Sequence, residues 1–501
     1  MAVGSAGAGW QAMTIRLRED QSSVVDETRA ALGRVQSVLV RAPCRFGKTV
    51  VASFMAQRSV AMRRKVIFAC HRDAILNQIS KTLERFSVKH GFIASGRGSN
   101  PFALAQVASA DTLRNRLHEL KDCKLLIVDE GHLWHSRTRK LIIDAAKEAG
   151  AKVVILTATP IRLDGKPLSD IADEMVLGPT EAELIERGSL ARYRVFAPVS
   201  ADLTGLHSRM GDYVTAEVAD RLDKPSIVGD APATWKQYAN GLRTVVYAIN
   251  RAHGKHVLEA YLAAGVKAAY IDGDTPKSEQ FRIANALADG EIHVLVSVEL
   301  LTTGYDLGSL VGRDVTIQCV QLLRPTKSLQ LAIQMMMRCM TAWDGESIIL
   351  DHVNMILNRD GTLNHGFPDD DRVWSLEGSA IQRQEGVTAF TTWLCESCFA
   401  SVKSSKPVCP YCSKDHVVKV REITAEEGEL QEIKRQQAVA KEQKRREVQA
   451  ARDLTSIASV ALERNYSAGW VAQRMKAIGL KAASFSEIHH AMHDARQRKA
   501  A

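Results

Sequence analysis

No run of eighteen or more apolar residues occurs in this 501-residue chain, which excludes an ordinary membrane-spanning helix. The opening stretch MAVGSAGAGWQAM lacks the charged start and the apolar core of a secretory signal, so a cytoplasmic location without a membrane partner is expected. With 46% hydrophobic and 25% charged residues, the composition excludes collagen-like repeats and wholesale disorder. No disulfide framework is needed, because a chain of this length can bury more than one core. A nuclease constellation is also missing, so cleavage of a nucleic acid would need a partner.

What is present begins with charge. Lys and Arg number 66 against 57 Asp and Glu, an excess of nine. Fourteen basic and six acidic residues fall between Lys434 and Ala501, leaving 52 against 51 elsewhere. The composition argument for a polyanionic partner therefore applies to the tail alone. There KRQQAVAKEQKRRE (434–447) reads as a solvated helical face or as an arm for DNA or protein. His489, His490 and His493 lack a further ligand nearby and are treated as surface.

Short β-branched runs alternate with helical patterns: SVLVRA (37–42), KVIFAC (65–70), AQVASA (105–110), KLLIVDE (124–130) and KVVILTA (152–158). The second half repeats the scheme with TVVYAIN (244–250), AAYIDG (268–273), HVLVSV (293–298), DVTIQCV (314–320) and SIILDH (347–352). Such alternation predicts two tandem α/β domains with parallel sheets and crossover helices. The boundaries expected are 1–200 and 201–380, then a cysteine-paired module at 390–419 and a basic helical tail at 420–501.

The first strand runs into Ala42-Pro43-Cys44-Arg45-Phe46-Gly47-Lys48-Thr49 and a helix. A tight loop feeding a helix N-terminus turns backbone N–H groups toward phosphates; Lys48 would reach the β/γ-phosphates and the Thr49 hydroxyl would ligate Mg²⁺. Ala42 stands where the usual pattern has its first glycine. Arg45 replaces another, and it either crowds the loop or supplies an extra cation. Strand KLLIVDE ends in Asp129-Glu130-Gly131-His132, at the strand-end edge where parallel sheets bind ligands. Asp129 could hold Mg²⁺ and Glu130 could polarise the attacking water, so the pair of motifs points to metal-assisted phosphoryl transfer.

Four of the nine cysteines form Cys395-x2-Cys398 and Cys409-x2-Cys412, the two-knuckle spacing that surrounds tetrahedral Zn²⁺ in a short zinc ribbon. Trp393, Phe399 and Tyr411 would support the knuckles or stack bases, support being the expected role. The other five (Cys44, Cys70, Cys123, Cys319, Cys339) read as packed thiols.

Asp-Glu-x-His, followed by Thr157-Ala158-Thr159-Pro160, resembles a superfamily 2 DEAD/DEAH-box helicase. Further elements match in order: Leu17-Arg18-x-x-Gln21, Ala69-Cys70-His71-Arg72, Ser109 to Leu113, Tyr270 to Asp274, Thr302 to Asp306, and Gln334-x-x-x-Arg338. The match spans roughly residues 15 to 350. The stretches 162–190, 324–329 and 365–378 are similar to the phage and prophage branch related to type III restriction-subunit helicases. This resemblance implies two RecA-like P-loop NTPase domains with ATP between them and a single nucleic-acid strand across both, DNA in first place and RNA not excluded. It further implies that Gln21 reads adenine, that Gly304 and Asp306 meet nucleotide, and that Gln334 and Arg338 sense it. His71, Arg72 and Thr112 would touch the nucleic-acid backbone, and His132, Thr157 and Thr159 would couple it to hydrolysis. The family's Gln-x-x-Gly-Arg-x-x-Arg departs here, with Met337 for the glycine and Thr341 for the last arginine. Three readings follow: an active helicase or translocase, a nucleotide-dependent clamp, or the motor subunit of a restriction or repair assembly.

Overall fold

The computed structural model describes residues 15–134, 136–162, 167–197, 203, 205–209, 211–301, 307–313, 315–358, 363–377, 392–395, 397–403, 408–415, 453–463, 471–472, 474–475, 480 and 483–500. Two compact units emerge, residues 1–416 and 417–501. The expected helix over Thr424 to Arg452 lies outside the described residues, as do Gly304 and Asp306.

The first sheet holds β1 (Ser37–Arg41), β2 (Lys65–Cys70), β3 (His90–Ile93), β4 (Ala105–Ser109), β5 (Cys123–Val128), β6 (Lys152–Thr157) and β7 (Glu174–Leu177). All pairs are parallel, in the order β3-β4-β2-β5-β6-β1-β7. The interior strands are apolar because helices cover both faces; β1, for instance, is buried at all five positions. This order sets β1, β6 and β5 side by side. The phosphate loop, Thr157 and the Asp129-Glu130 pair consequently leave one edge of one sheet.

The second sheet opens with β8 (Tyr193–Phe196), so the chain changes sheets before residue 200, earlier than the expected boundary. A short hairpin, β9 (Ser208–Arg209) and β10 (Asp212–Tyr213), follows. Then come β11 (Thr244–Tyr247), β12 (Ala268–Ile271), β13 (Val294–Ser297), β14 (Cys319–Leu322) and β15 (Ser347–Asp351), in the parallel order β12-β13-β11-β14-β15-β8. Nine of the ten expected strands are found in place, and the one expected over 314–320 is shifted to Cys319–Leu322. The three extra sheet strands, β3, β7 and β8, are short edges with partly exposed faces, and such strands show no continuous apolar run.

The two lobes share a hydrophobic cluster that includes Phe46 from the first and Met335, Met336, Met337 and Met340 from the second. The chain also returns from the second lobe to the first. His365 Nε2 hydrogen-bonds Thr326 O at 2.7 Å and Tyr193 Oη donates to Asp369. Farther on, Trp374 lies 5.1 Å under the Arg41 guanidinium, and Leu376 O accepts from Leu168 N at 2.8 Å. Arg41 is itself buried and forks onto Glu181 at 2.6 and 2.7 Å.

The cysteine module is a hairpin, β16 (Thr392–Leu394) and β17 (Ser401–Lys403), carrying two knuckles. It is not a free-standing domain. Phe399 O accepts from Ala197 N at 2.8 Å, and Trp393, Ala400 and Val402 join the core of Phe196, Ala231 and Trp235. The module thus covers the open edge of β8, whose backbone groups would otherwise be unpaired.

In the 417–501 unit, helices Leu454–Glu463 and Phe485–Ala500 pack Ile457, Ala461 and Ile488 together with Val471 and Met475. His490 and His493 are exposed. No helix among the described residues is long and apolar enough to cross a membrane.

Burial holds His253 and His352 neutral, with pKa values pushed down to about 4. Their folded values lie below the unfolded value of about 6.5, so the stability they carry is present above that pH and is lost as pH falls toward 4. Each should cost about 1.4 kcal/mol per pH unit in that window. Melting curves from pH 7 to 4.5 should fall steeply, and less steeply in His352→Gln. A flat profile would show that these imidazoles are not buried neutral.

Candidate nucleotide site

The loop between β1 and helix Lys48–Ala61 is shaped by two left-handed residues, Arg45 at φ 66° and Gly47 at φ 92°. At Gly47 a Cβ would also fall 2.7 Å from Gln21 Nε2, so that amide would have to shift off the loop. Lys48 Nζ donates to Ala42 O at 3.2 Å and Pro43 O at 3.0 Å, which holds its charge at the mouth of the loop.

Asp129 and Glu130 follow β5, with Glu130 left-handed at φ 53°. Gly131 is required because a Cβ there would lie 2.3 Å from Ile155 Cγ2. Burial pushes the Asp129 carboxyl up to about 7, the neighbouring Glu130 charge adds to this, and Lys48 opposes it. Glu130 is likewise raised by burial and lowered by Lys48 and Arg72. Glu130 Oε2 is buried with no hydrogen-bond partner among the described residues, and His132 Nδ1 lies 3.5 Å away. A buried, unpaired carboxylate oxygen is costly unless a water or ligand meets it.

These groups meet the second lobe across a cavity of about 540 Å³. Arg45, Gly47, Lys48, Thr49, Asp129 and Glu130 line one wall. Gln334, Met337, Arg338 and Thr341 line the other. Arg338 Nη2 donates to Leu301 O at 2.8 Å. Met337, although it lines the cavity, is fully buried and belongs to the core shared by the lobes. Cys44 is half-buried and lines the same cavity, unlike the other four scattered cysteines, which are buried as expected.

Gln21 is fixed against the phosphate loop. Its Oε1 accepts from Arg18 N at 3.1 Å and its Nε2 donates to Phe46 O at 2.9 Å, so it braces the phosphate loop and does not line the cavity.

Beneath the cavity runs a buried polar chain. Thr157 Oγ1 donates to Thr159 O at 3.1 Å and accepts from Thr159 N at 3.2 Å. With that hydroxyl proton committed, His132 Nδ1–H is the donor across 3.2 Å to Thr157 Oγ1. His132 Nε2 is then the acceptor for Gln330 Nε2, on helix Leu329–Met336 of the second lobe. Gln330 is a cross-lobe contact that motif reading missed. Its one signal is a position four residues, about one helical turn, before Gln334. Gln334 Oε1 itself is buried without a partner among the described residues.

His71 and Arg72 follow β2 and Thr112 follows β4, on the same strand-end edge. Burial pushes the His71 imidazole down to about 3, and neither ring nitrogen has a partner among the described residues.

The Sγ atoms of Cys395, Cys398, Cys409 and Cys412 all lie within 4.8 Å of one another. A Zn–S bond of about 2.3 Å implies tetrahedral S···S edges of about 3.8 Å, so the four thiols fit a metal of that kind. Trp393 is buried in the adjoining core, the supporting position expected of it.

Residues 14–162 match the family described as "Type III restriction enzyme, res subunit", and residues 230–342 match "Helicase conserved C-terminal domain". The chain belongs to the superfamily 2 helicases, in the group related to type III restriction enzymes. Among similar proteins of this family, the 51.5 kDa protein of Lactococcus phage (isolate 7-9) is 29% identical over 407 residues, 80% of this chain and 84% of the relative. IRC3 of Saccharomyces cerevisiae, whose name casts it as an ATP-dependent helicase, is 28% identical over 242 residues, 46% of this chain but 34% of that protein. A crystal structure of the DUF1998 helicase MrfA bound to DNA aligns with a TM-score of 0.49 at 18% identity, covering 69% of this chain and 47% of that one.

Proposed function

We propose that this superfamily 2 chain hydrolyses ATP with Mg²⁺ to move along or unwind nucleic acid, DNA before RNA. One observation carries the reading: the phosphate loop, both carboxylates and Gln334 with Arg338 converge from two lobes on one cavity of about 540 Å³. In this reading Gly47, Lys48 and Thr49 hold the phosphates, and Thr49 with Asp129 holds Mg²⁺. Glu130 takes the proton of the attacking water as the water oxygen bonds the γ-phosphorus. The bond from that phosphorus to the bridging oxygen breaks, and its electron pair leaves with ADP. Mg²⁺ would supply neutralising charge on the phosphates. Gly304 and Asp306 would complete the nucleotide contacts, while Gln21 would act by holding the loop. His71, Arg72 and Thr112 would meet the nucleic-acid strand. His132, Thr157 and Thr159 would pass its presence to Glu130, with Gln330 joining the lobes. The four cysteines would hold Zn²⁺.

The clamp reading has its own support, since Thr341 leaves the sensing motif one arginine short and Met337 replaces its glycine. ATP turnover measured with single-stranded DNA, duplex DNA and RNA decides between them. Stimulation by DNA is expected. A flat response to all three would favour the clamp, and stronger stimulation by RNA would change the substrate. The tail gives a separate expectation. Ending the chain after Lys419 should weaken nucleic-acid binding and flatten its salt dependence while ATP binding stays intact. An unchanged slope of log affinity against log salt would remove the tail from the interface.

A further inference from the structure

Thr341 leaves the second lobe without a cation at one point of the cavity, and Arg45 adds one on the opposite wall. The two changes share a site. Arg45 sits in a loop position whose φ of 66° favours glycine, so the backbone there is held in a conformation that an arginine adopts at a cost. Strain kept at a ligand loop is a reason to look for a function in the side chain. Arg338, the remaining arginine of the second-lobe wall, is tied to Leu301 O at 2.8 Å and also hydrogen-bonds Tyr247, so its own lobe engages it. The Arg45 charge, in turn, reaches across the cleft. Burial raises the Tyr247 hydroxyl and pushes the Cys339 thiol up to about 12, and Arg45 is among the charges opposing both shifts.

We propose that Arg45 is the catalytic cation of this site, contacting the γ-phosphate from the phosphate loop and supplying the charge that Thr341 does not. This rests on the reading of the cavity as an ATP-hydrolysing site and adds a residue to it. As the water oxygen bonds the γ-phosphorus and the bridging bond breaks toward ADP, negative charge spreads over the γ-oxygens, and a planar guanidinium can fork onto two of them. A cation carried by the first lobe differs from one carried by the second in one respect. It is in place before the lobes close, so turnover depends less on nucleic acid than it would with an arginine at position 341.

The test compares steady-state ATP turnover, with and without single-stranded DNA, in wild type, Arg45→Gly, Arg45→Lys and Arg45→Gly/Thr341→Arg. Arg45→Gly is expected to lower kcat by about 10³-fold or more with KM within about threefold. Its melting temperature should not fall, because glycine suits the left-handed position. Arg45→Lys should recover only part, for want of the fork. The double variant should recover at least about tenfold over Arg45→Gly, and its ratio of DNA-stimulated to basal turnover should exceed that of wild type. Arg45→Gly turning over within about threefold of wild type, or changing KM alone, overturns the proposal. Should wild type hydrolyse no ATP with any nucleic acid, the function itself has failed, and Arg45 is judged by binding. Affinity for ADP–aluminium fluoride relative to ADP should then drop at least about tenfold in Arg45→Gly. An unchanged ratio overturns it.

Discussion

Glu130→Gln is expected to lower ATP turnover by about 10²- to 10⁴-fold, the range that loss of a general base produces. The amide keeps the shape of the carboxylate but cannot accept the proton of an attacking water. ATP binding should survive and even tighten. The Glu130 charge is one cause, after burial, of the raised Asp129 carboxyl, so its removal lets Asp129 ionise more readily beside Lys48. Single-turnover hydrolysis and titration with a fluorescent nucleotide separate the two effects. Turnover within about threefold of wild type would mean that Glu130 is not the base, and its unpaired Oε2 would then need another explanation.

Zinc removal is expected to have the largest effect on stability. Structural zinc in small folds contributes on the order of 10 kcal/mol of apparent binding free energy at neutral pH, because the apo module has little core of its own. Cys395 and Cys412 lie 3.6 Å apart at sulfur, as do Cys398 and Cys409, so thiols at that spacing repel once ionised without a cation between them. The module also lines the second lobe. Exposing Trp393 and Val402, both buried, would cost about 4 kcal/mol at roughly 1.5–3 kcal/mol each. At about 2–4 °C per kcal/mol, the second lobe should melt roughly 10 °C lower after chelation. Elemental analysis should find one zinc per chain. A metal-free protein with an unchanged melting profile would reduce the four cysteines to packed thiols.

How much of this was legible in the sequence depends on where each residue sits. Strands such as β2 and β5 are covered on both faces and appear as unbroken apolar runs, so they could be read directly. Edges such as β7, with one buried residue among Glu174–Leu177, carry no such pattern. Gly47, Lys48, Asp129 and Glu130 were legible because their chemistry fixes their spacing along single strand-loop-helix units. Gln330 was not, since its partner His132 is 198 positions away and only the apposition of two lobes joins them. Gln21 was visible as a residue but its role was not. Its amide oxygen accepts from Arg18 and its amide nitrogen donates to Phe46, and hydrogen-bond partners of that kind leave no mark on local sequence. The paired cysteines announced a four-thiol cluster, yet its docking on β8 depends on Ala400 and Trp393, ordinary residues with no motif.

The return of residues 363–377 to the first lobe has a mechanical consequence. The chain crosses between lobes on the way to β8, again to place Trp374 and Leu376 on the first lobe, and once more before the cysteine module docks on β8, so the lobes are two leaves pinned more than once. A pair of leaves pinned in this way resists sliding or twisting. Slippage of one lobe along the other would have to pull Trp374 off Arg41 and break the Leu376–Leu168 hydrogen bond. Opening the cavity between Lys48 and Arg338 would also part the cluster of Phe46 with Met335, Met336, Met337 and Met340 and the Gln330–His132 contact.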